Sequence, residues 1–190
     1  MEFLKKILKL PAMIIVDVTD QEDQIREIAL ERYHAIKRSG DQRMKDENRF
    51  YRGILRSVAT EAAAVEILRY TEDVDLTWDS SDGPGLPDIV MGDHLIDVKY
   101  LNENTRNASI EYWENTLHSK RDWTLMVIEG QGVGWKFNLC GYYPYQDLQH
   151  HATHAASHVH TRPFWLINEG ELSPQLADTR TSAVRQTNRI

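Results

Sequence analysis

The segment 89–98 constrains the fold of this chain most strongly, because it predicts a β-hairpin that is apolar on both faces. Gly92 and Asp93 suit a two-residue turn, since glycine can adopt the positive φ that tight hairpin turns require. This turn places Ile89 opposite Ile96. Strands that are apolar on both faces belong inside a sheet covered by helices. The hairpin therefore predicts an α/β fold with a buried central sheet.

Two acids and a lysine follow from the same register. Asp88 lies opposite Asp97, and Lys99 shares their face because side chains two apart on a strand point the same way. Two carboxylates about 4 Å apart at an effective dielectric of ~20 repel by roughly 4 kcal/mol, which favours a bound cation or a retained proton. Oxygen ligands without nearby cysteine or histidine favour Mg²⁺ or Mn²⁺.

A third acid, Glu61, occupies an apolar position of a helix predicted over residues 48–70. The apolar positions recur at helical spacing, and Glu61 lies where the pattern calls for an aliphatic side chain. A carboxylate that faces the core needs a partner, which a metal ion or Lys99 would supply. The alternative is a glutamate that reaches water from the edge of the stripe. The stripe consists of Ile54, Val58, Glu61, Val65 and Leu68.

The motif Pro87-Asp88, followed by Asp97-Val98-Lys99, resembles that of the PD-(D/E)XK nuclease superfamily. The resemblance implies a restriction-endonuclease-like fold, with a central mixed β-sheet flanked by helices on both faces. It also implies that Glu61 is the glutamate that the preceding helix contributes in that family. The competing interpretation is a surface hairpin that carries a salt bridge between Asp97 and Lys99.

The family core of helix, three strands, helix and strand would span about residues 48–145. Residues Ile110 to His118 suit its second helix. Residues Trp123 to Glu129 suit the next strand, and Trp135 to Tyr142 suit another that ends at Gly141.

The resemblance implies metal-dependent hydrolysis of phosphodiester bonds in DNA, as an endonuclease or an exonuclease. Asp88, Asp97 and the carbonyl of Val98 would hold Mg²⁺ or Mn²⁺, and Glu61 would bind the metal or position a metal-bound water. Lys99 would orient or help deprotonate the attacking water and offset charge on the phosphorus. The alternative is a catalytically inactive protein of the same fold that regulates by binding DNA or another protein.

Candidate substrate contacts follow the acidic strand. Asn102 and Arg106 come directly after it, and Lys120 and Arg121 precede the next strand. The net charge of −7 argues against a broad nucleic-acid-binding surface, because nonspecific affinity depends on Lys and Arg, but it leaves room for a local basic patch. Cutting both strands of a duplex would also suit a homodimer.

Five histidines crowd into residues 150–160 and offer a competing metal site. His150, His154 and His158 would share one face if this segment were helical, and such ligands favour zinc. The small residues between them favour a polar helix or loop instead. The cluster consists of His150, His151, His154, His158 and His160.

Length and composition predict one domain over residues 1–190, in which 41% of the residues are hydrophobic. An N-terminal helical extension, 1–47, would contain a short strand over residues 13–18 and a helix that starts with a Thr19–Glu22 capping box. A C-terminal extension, 146–190, would contain a strand over residues 163–167.

A single cysteine and the hydropathy pattern bear on the compartment. Cys140 cannot form a disulfide within the monomer, which favours a reducing, intracellular setting. No stretch has the length and hydrophobicity of a signal peptide or a membrane span. We therefore expect a cytoplasmic protein without a membrane partner.

Overall fold

The computed structural model describes residues 14–39, 46–71, 76–78, 86–111, 120–131, 134–151, 153–155 and 163–174. In this part of the chain, the secondary structure comprises two α-helices and eight strands. The helices are α1 (Glu22–Ser39) and α2 (Glu47–Thr71). The strands are β1 (Ile15–Asp17), β2 (Leu76–Trp78), β3 (Ile89–Met91), β4 (His94–Tyr100), β5 (Asn107–Glu111), β6 (Trp123–Gly130), β7 (Lys136–Pro144) and β8 (Phe164–Asn168).

Six of the described strands form one mixed sheet in the order β1-β7-β6-β4-β3-β2. Strands β4 and β6 run parallel, and the other neighbouring pairs run antiparallel. The α/β class and the mixed sheet predicted from the sequence are therefore confirmed. Helix α2 precedes strands β2 to β4 in the order expected for the core, but β5 begins where the second helix of that core was expected, ahead of β6.

The predicted hairpin has the register that its turn implies. Ile89 pairs with Ile96, Val90 with Leu95, and Met91 with His94. Gly92 has a φ of +57°, a conformation that glycine adopts at little cost. The hairpin therefore brings Asp88, the residue that precedes β3, next to β4.

Helix α2 packs on one face of the sheet, and α1 packs against α2. The apolar core on this side contains Ile96 and Val98 of β4, together with Val58 and Ala62 of α2. Period-two alternation puts the intervening residues of β4 on the opposite face.

The opposite face is covered differently from the expected layer of α-helix. Strands β5 and β8 pair antiparallel there, and their apolar residues join a second core. The helix predicted over 110–118 is wrong at its start, because Ile110 and Glu111 belong to β5. The alternation of buried Ala108 and Ile110 with less buried neighbours has the period of a strand. Residues 112–119 lie outside the described residues.

Both predicted extensions contribute strands to the described structure. β1 pairs with β7 at the edge of the main sheet, and β8 pairs with β5. The predicted capping box does not form. Instead, the Asp17 carboxylate accepts hydrogen bonds from the backbone N–H and the hydroxyl of Thr19, at 3.0 and 2.5 Å. The division into one domain with two extensions stays a prediction.

Gly141 lies within β7 and does not end it. Its φ is +150°, and a Cβ there would lie 2.7 Å from the carbonyl oxygen of Ser173. The neighbouring Tyr142 exchanges two backbone hydrogen bonds with Ser173, at 2.8 and 2.9 Å. The close approach of this second segment explains why glycine stands at position 141.

Among the residues that the structure describes, no helix is long and apolar enough to cross a membrane.

Candidate active site

The end of β4 brings together three of the predicted site residues. Asp97 and Lys99 share the face of β4 that is opposite to α2, and Nζ of Lys99 lies 2.8 Å from Oδ1 of Asp97. Asp88 precedes β3, and its Oδ2 accepts a hydrogen bond of 2.6 Å from the backbone N–H of Val98. The hairpin therefore brings Asp88 next to the strand that carries Asp97, as the sequence predicts.

The environment of Asp97 keeps it ionised. Its side chain is buried, with 6% exposed, and burial by itself opposes the charge. The positive charges of Lys99 and Lys120, and the hydrogen bonds from Lys99 and Tyr145, outweigh that penalty and hold the pKa of Asp97 at about 2. The Tyr145 hydroxyl donates to Oδ2 of Asp97, while Lys99 donates to Oδ1.

The environment of Asp88 has the opposite effect. Burial raises the pKa of Asp88 to about 7; the charge of Lys99 opposes this shift, and the charges of Asp97 and Glu61 add to it. Within the described residues, Oδ1 of Asp88 accepts no hydrogen bond. Below the pKa of Asp88, the two coupled carboxylates therefore carry one negative charge between them.

The Lys99 ammonium lies where a cation would balance these carboxylates. Nζ donates to Oδ1 of Asp97 and to the carbonyl oxygen of Val98, at 2.8 and 3.2 Å. Burial opposes its charge, but the carboxylates of Asp97 and Asp88 raise the pKa of the amine above the ordinary lysine value. The two oxygen atoms that Lys99 contacts are among those predicted to ligate a metal ion.

Glu61 does not join the acid pair. Its two oxygens accept hydrogen bonds of 2.7 and 2.6 Å from the guanidinium of Arg32, a residue of α1. Ser57 and the indole N–H of Trp78 also donate to Glu61, at 3.2 and 3.1 Å. The prediction that Glu61 faces the interior is confirmed, since only 3% of its side chain is exposed. Its partner, however, is an arginine instead of a metal ion or Lys99.

The expected group of three carboxylates around a metal ion is therefore not formed. The described residues contain no cluster of three or more histidine, cysteine or acidic side chains that could hold a metal ion. Two carboxylates and a backbone carbonyl remain at the end of β4. This smaller oxygen set still suits Mg²⁺, which commonly takes one or two carboxylates and completes its shell with water and phosphate.

Lys120 is the predicted substrate contact that the structure places beside the acids. Its ammonium lies 4.3 Å from the ring centroid of Trp123 and 5.5 Å from that of Tyr145. Burial lowers the pKa of Lys120, although the charges of Asp97 and Asp88 act to raise it. Arg121, the next residue, is exposed.

Asn102 and Arg106 have structural partners in the loop between β4 and β5. The Asn102 side chain accepts hydrogen bonds from the backbone N–H groups of Asn104 and Thr105, at 2.9 and 3.1 Å. The Arg106 guanidinium forms ion pairs with Glu129 and Glu169. The structure therefore does not bring these two side chains to the acid pair, and their contact with substrate stays a prediction.

The described part of the histidine segment, residues 150–151 and 153–155, does not form the shared helical face that a zinc site would need. A 3₁₀ helix ends at His150, and His154 forms an isolated bridge with Phe164. His151 contacts the Tyr143 hydroxyl at 2.7 Å and lies 3.4 Å from Glu171. His158 and His160 lie outside the described residues.

Two residues of this region were missed from the sequence. Arg32 occupies the apolar stripe of α1 in the same way that Glu61 occupies that of α2, so the complementary pattern could have identified it. Tyr145 follows β7 directly, but no periodicity or motif indicated its contact with Asp97.

No protein-family model matches this chain, and comparisons with curated proteins and with solved structures find no match either.

Proposed function

We propose that this chain is a divalent-metal-dependent nuclease that hydrolyses phosphodiester bonds in DNA. The observation that carries the proposal is the convergence of Asp88, Asp97 and Lys99 at the end of β4. A buried acid pair next to a protonated amine is costly to maintain, and such groups concentrate at functional sites. The order of α2 and strands β2 to β4 agrees with the first part of the core that the motif implies.

Mg²⁺ or Mn²⁺, when bound, would polarise the scissile phosphate and lower the pKa of a bound water. Asp88, Asp97 and the carbonyl of Val98 would hold the ion. Lys99 remains protonated beside the carboxylates, so it is better suited to donate a hydrogen bond than to accept the proton of the attacking water. It would orient that water or stabilise the negative charge that develops on the phosphate.

The same site can accommodate a polyanion although the net charge is −7. Lys99 and Lys120 contribute two positive charges close to the acids, and Lys120 is only partly buried. Phosphate contacts of this kind provide most of the nonspecific affinity for DNA. A homodimer that cuts both strands remains part of the proposal.

The second candidate is a catalytically inactive protein of this fold that regulates by binding. The pairing of Glu61 with Arg32 favours it, because this pairing removes the third carboxylate from the acid pair. The contacts of Lys99 with two predicted metal-ligating oxygens favour it as well.

A cleavage assay separates the two candidates. Plasmid and oligonucleotide DNA would be incubated with the full chain in Mg²⁺, in Mn²⁺ and in EDTA. The nuclease proposal expects product only with metal, and loss of at least a hundredfold in Asp97→Asn and in Lys99→Ala. Lys37→Ala, in an exposed ion pair between α1 and α2, is the control that should keep full activity.

Circular dichroism would establish that each variant remains folded. Metal-dependent cleavage that persists undiminished in both site variants would overturn the proposed role of this site. DNA binding without cleavage under any of the metal conditions would favour the regulatory protein.

A further inference from the structure

The two carboxylate oxygens of Asp97 have different partners. Oδ1 faces Lys99, and 34% of the Lys99 side chain is exposed. Oδ2 accepts a hydrogen bond from the hydroxyl of Tyr145, whose residue is only 1% exposed. One oxygen therefore faces the partly exposed lysine, and the other is bound by a buried donor.

The Tyr145 ring is held in place by its surroundings. It lies in the second core and makes an edge-on contact with Trp123, with ring centroids 6.3 Å apart. The residue begins a 3₁₀ helix directly after β7, whose last residue is Pro144. Moving the hydroxyl away from Asp97 would require rearranging this core or leaving a buried polar group unpaired, which is unfavourable.

The contacts of Asp97 with Tyr145 and with Lys99 are made on different oxygens. Oδ2 can therefore stay bound to the Tyr145 hydroxyl whether or not Lys99 remains at Oδ1.

We infer that Tyr145 is a positioning residue that makes Asp97 a one-oxygen ligand and so favours Mg²⁺ or Mn²⁺ over Ca²⁺. The inference rests on the proposed metal site. Mg²⁺ requires a compact octahedral shell and takes carboxylates through single oxygens, whereas Ca²⁺ accepts more ligands and readily uses both oxygens of one carboxylate. Holding Oδ2 at the phenol therefore disfavours the larger ion.

The test measures binding of the metal ions alone, without DNA. Isothermal titration calorimetry would give dissociation constants for Mg²⁺ and for Ca²⁺ with the full chain, with Tyr145→Phe and with Asp97→Asn. Tyr145→Phe retains the ring but frees Oδ2. We expect its preference for Mg²⁺ over Ca²⁺ to fall by about tenfold, the range that one hydrogen bond to a charged group contributes.

Tyr143→Phe is the matched control, because Tyr143 belongs to the same core but its hydroxyl contacts His151. It should leave the Mg²⁺ to Ca²⁺ preference unchanged. A purely structural role for Tyr145 would weaken the binding of both ions equally, and this result would overturn the inference.

The outcomes distinguish the inference from the function on which it rests. If the wild-type protein binds Mg²⁺ through Asp97 and Tyr145→Phe has the same ion preference, the inference fails and the metal site stands. If the wild-type protein prefers Ca²⁺, the inference fails whether or not the variant folds. If neither ion binds, or if Asp97→Asn binds as the wild type does, the metal site and the inference both fail.

Discussion

Arg32 and Glu61 form a buried bidentate ion pair between the two α-helices, with nitrogen–oxygen distances of 2.7 and 2.6 Å. The pair connects α1 to the helix that packs on the sheet, so it couples the N-terminal segment to the layer next to the candidate site. Its charges are desolvated, with 7% and 3% of the side chains exposed. Removing one partner would leave the other charge buried.

The first prediction concerns this ion pair. Arg32→Met and Glu61→Leu should each reduce the free energy of unfolding by about 3–5 kcal/mol, because each leaves the charge of the other residue buried and uncompensated. The double variant Arg32→Met/Glu61→Leu should recover most of that loss, since apolar residues of similar size can replace a buried pair. Urea unfolding followed by circular dichroism measures all three.

Lys37→Ala is the control for that comparison, because Lys37 and Glu47 form an exposed pair. Exposed pairs contribute little to stability. Additive losses in the Arg32/Glu61 double variant would contradict a direct coupling between these two residues.

The second prediction concerns Asp88 and pH. The pKa of Asp88 rises from 3.8 to about 7 on folding, chiefly through burial. Between these values the native state retains a proton that the unfolded state has lost, so this group stabilises the metal-free protein at low pH and loses that effect as pH rises toward 7. In EDTA, unfolding free energies measured from pH 4.5 to pH 8 should show this decline.

Asp88→Asn removes the charge but keeps an oxygen that can accept the N–H of Val98. It should flatten the decline and raise the stability at pH 8. Asp97 affects stability in a different pH range, because its pKa is lowered to about 2. Its contribution to the free energy of unfolding is therefore lost only as the solution becomes strongly acidic. An Asp88→Asn profile parallel to that of the wild type would show that Asp88 does not cause the pH dependence.

The third prediction compares two adjacent cations. Lys120 lies beside the acid pair and over two aromatic rings, whereas Arg121 is exposed. Lys120→Gln should weaken binding of an oligonucleotide by about tenfold or more, as measured by fluorescence anisotropy in Ca²⁺ or EDTA. Arg121→Gln should change it by only a few-fold, because an exposed surface charge is largely screened by salt. Equal losses in the two variants would indicate nonspecific attraction to both charges.

The fourth prediction concerns Gly141. Alanine there would place its Cβ 2.7 Å from the Ser173 carbonyl oxygen in an unfavourable backbone conformation. We expect Gly141→Ala to lower the free energy of unfolding by about 1–3 kcal/mol or more. Gly53→Ala, on α2 with no atom within 4 Å of the added Cβ, should instead stabilise by about 0.5–1 kcal/mol. Thermal and urea unfolding of both variants would measure the difference, and equal stability would contradict the close packing at Gly141.

The local features of this protein follow from its sequence. The two-residue turn at Gly92 and Asp93 between two apolar runs predicts the pairing of Ile89 with Ile96, and this register places Asp88 beside the end of β4. Helical spacing identifies α2 and the inward position of Glu61. Each of these features depends on neighbouring residues and on one repeating geometry, which a pattern of apolar residues records directly.

Only the tertiary structure decides which distant groups meet. The partner of Glu61 is Arg32, which lies 29 residues away, and the buried donor to Asp97 is Tyr145, which lies 48 residues away. On the second face of the sheet, β5 pairs with β8, and β5 includes Ile110 and Glu111, where the predicted helix was expected to begin. Such contacts arise because buried charges and hydroxyls must find partners when the layers pack, and the choice depends on the three-dimensional arrangement of all the layers.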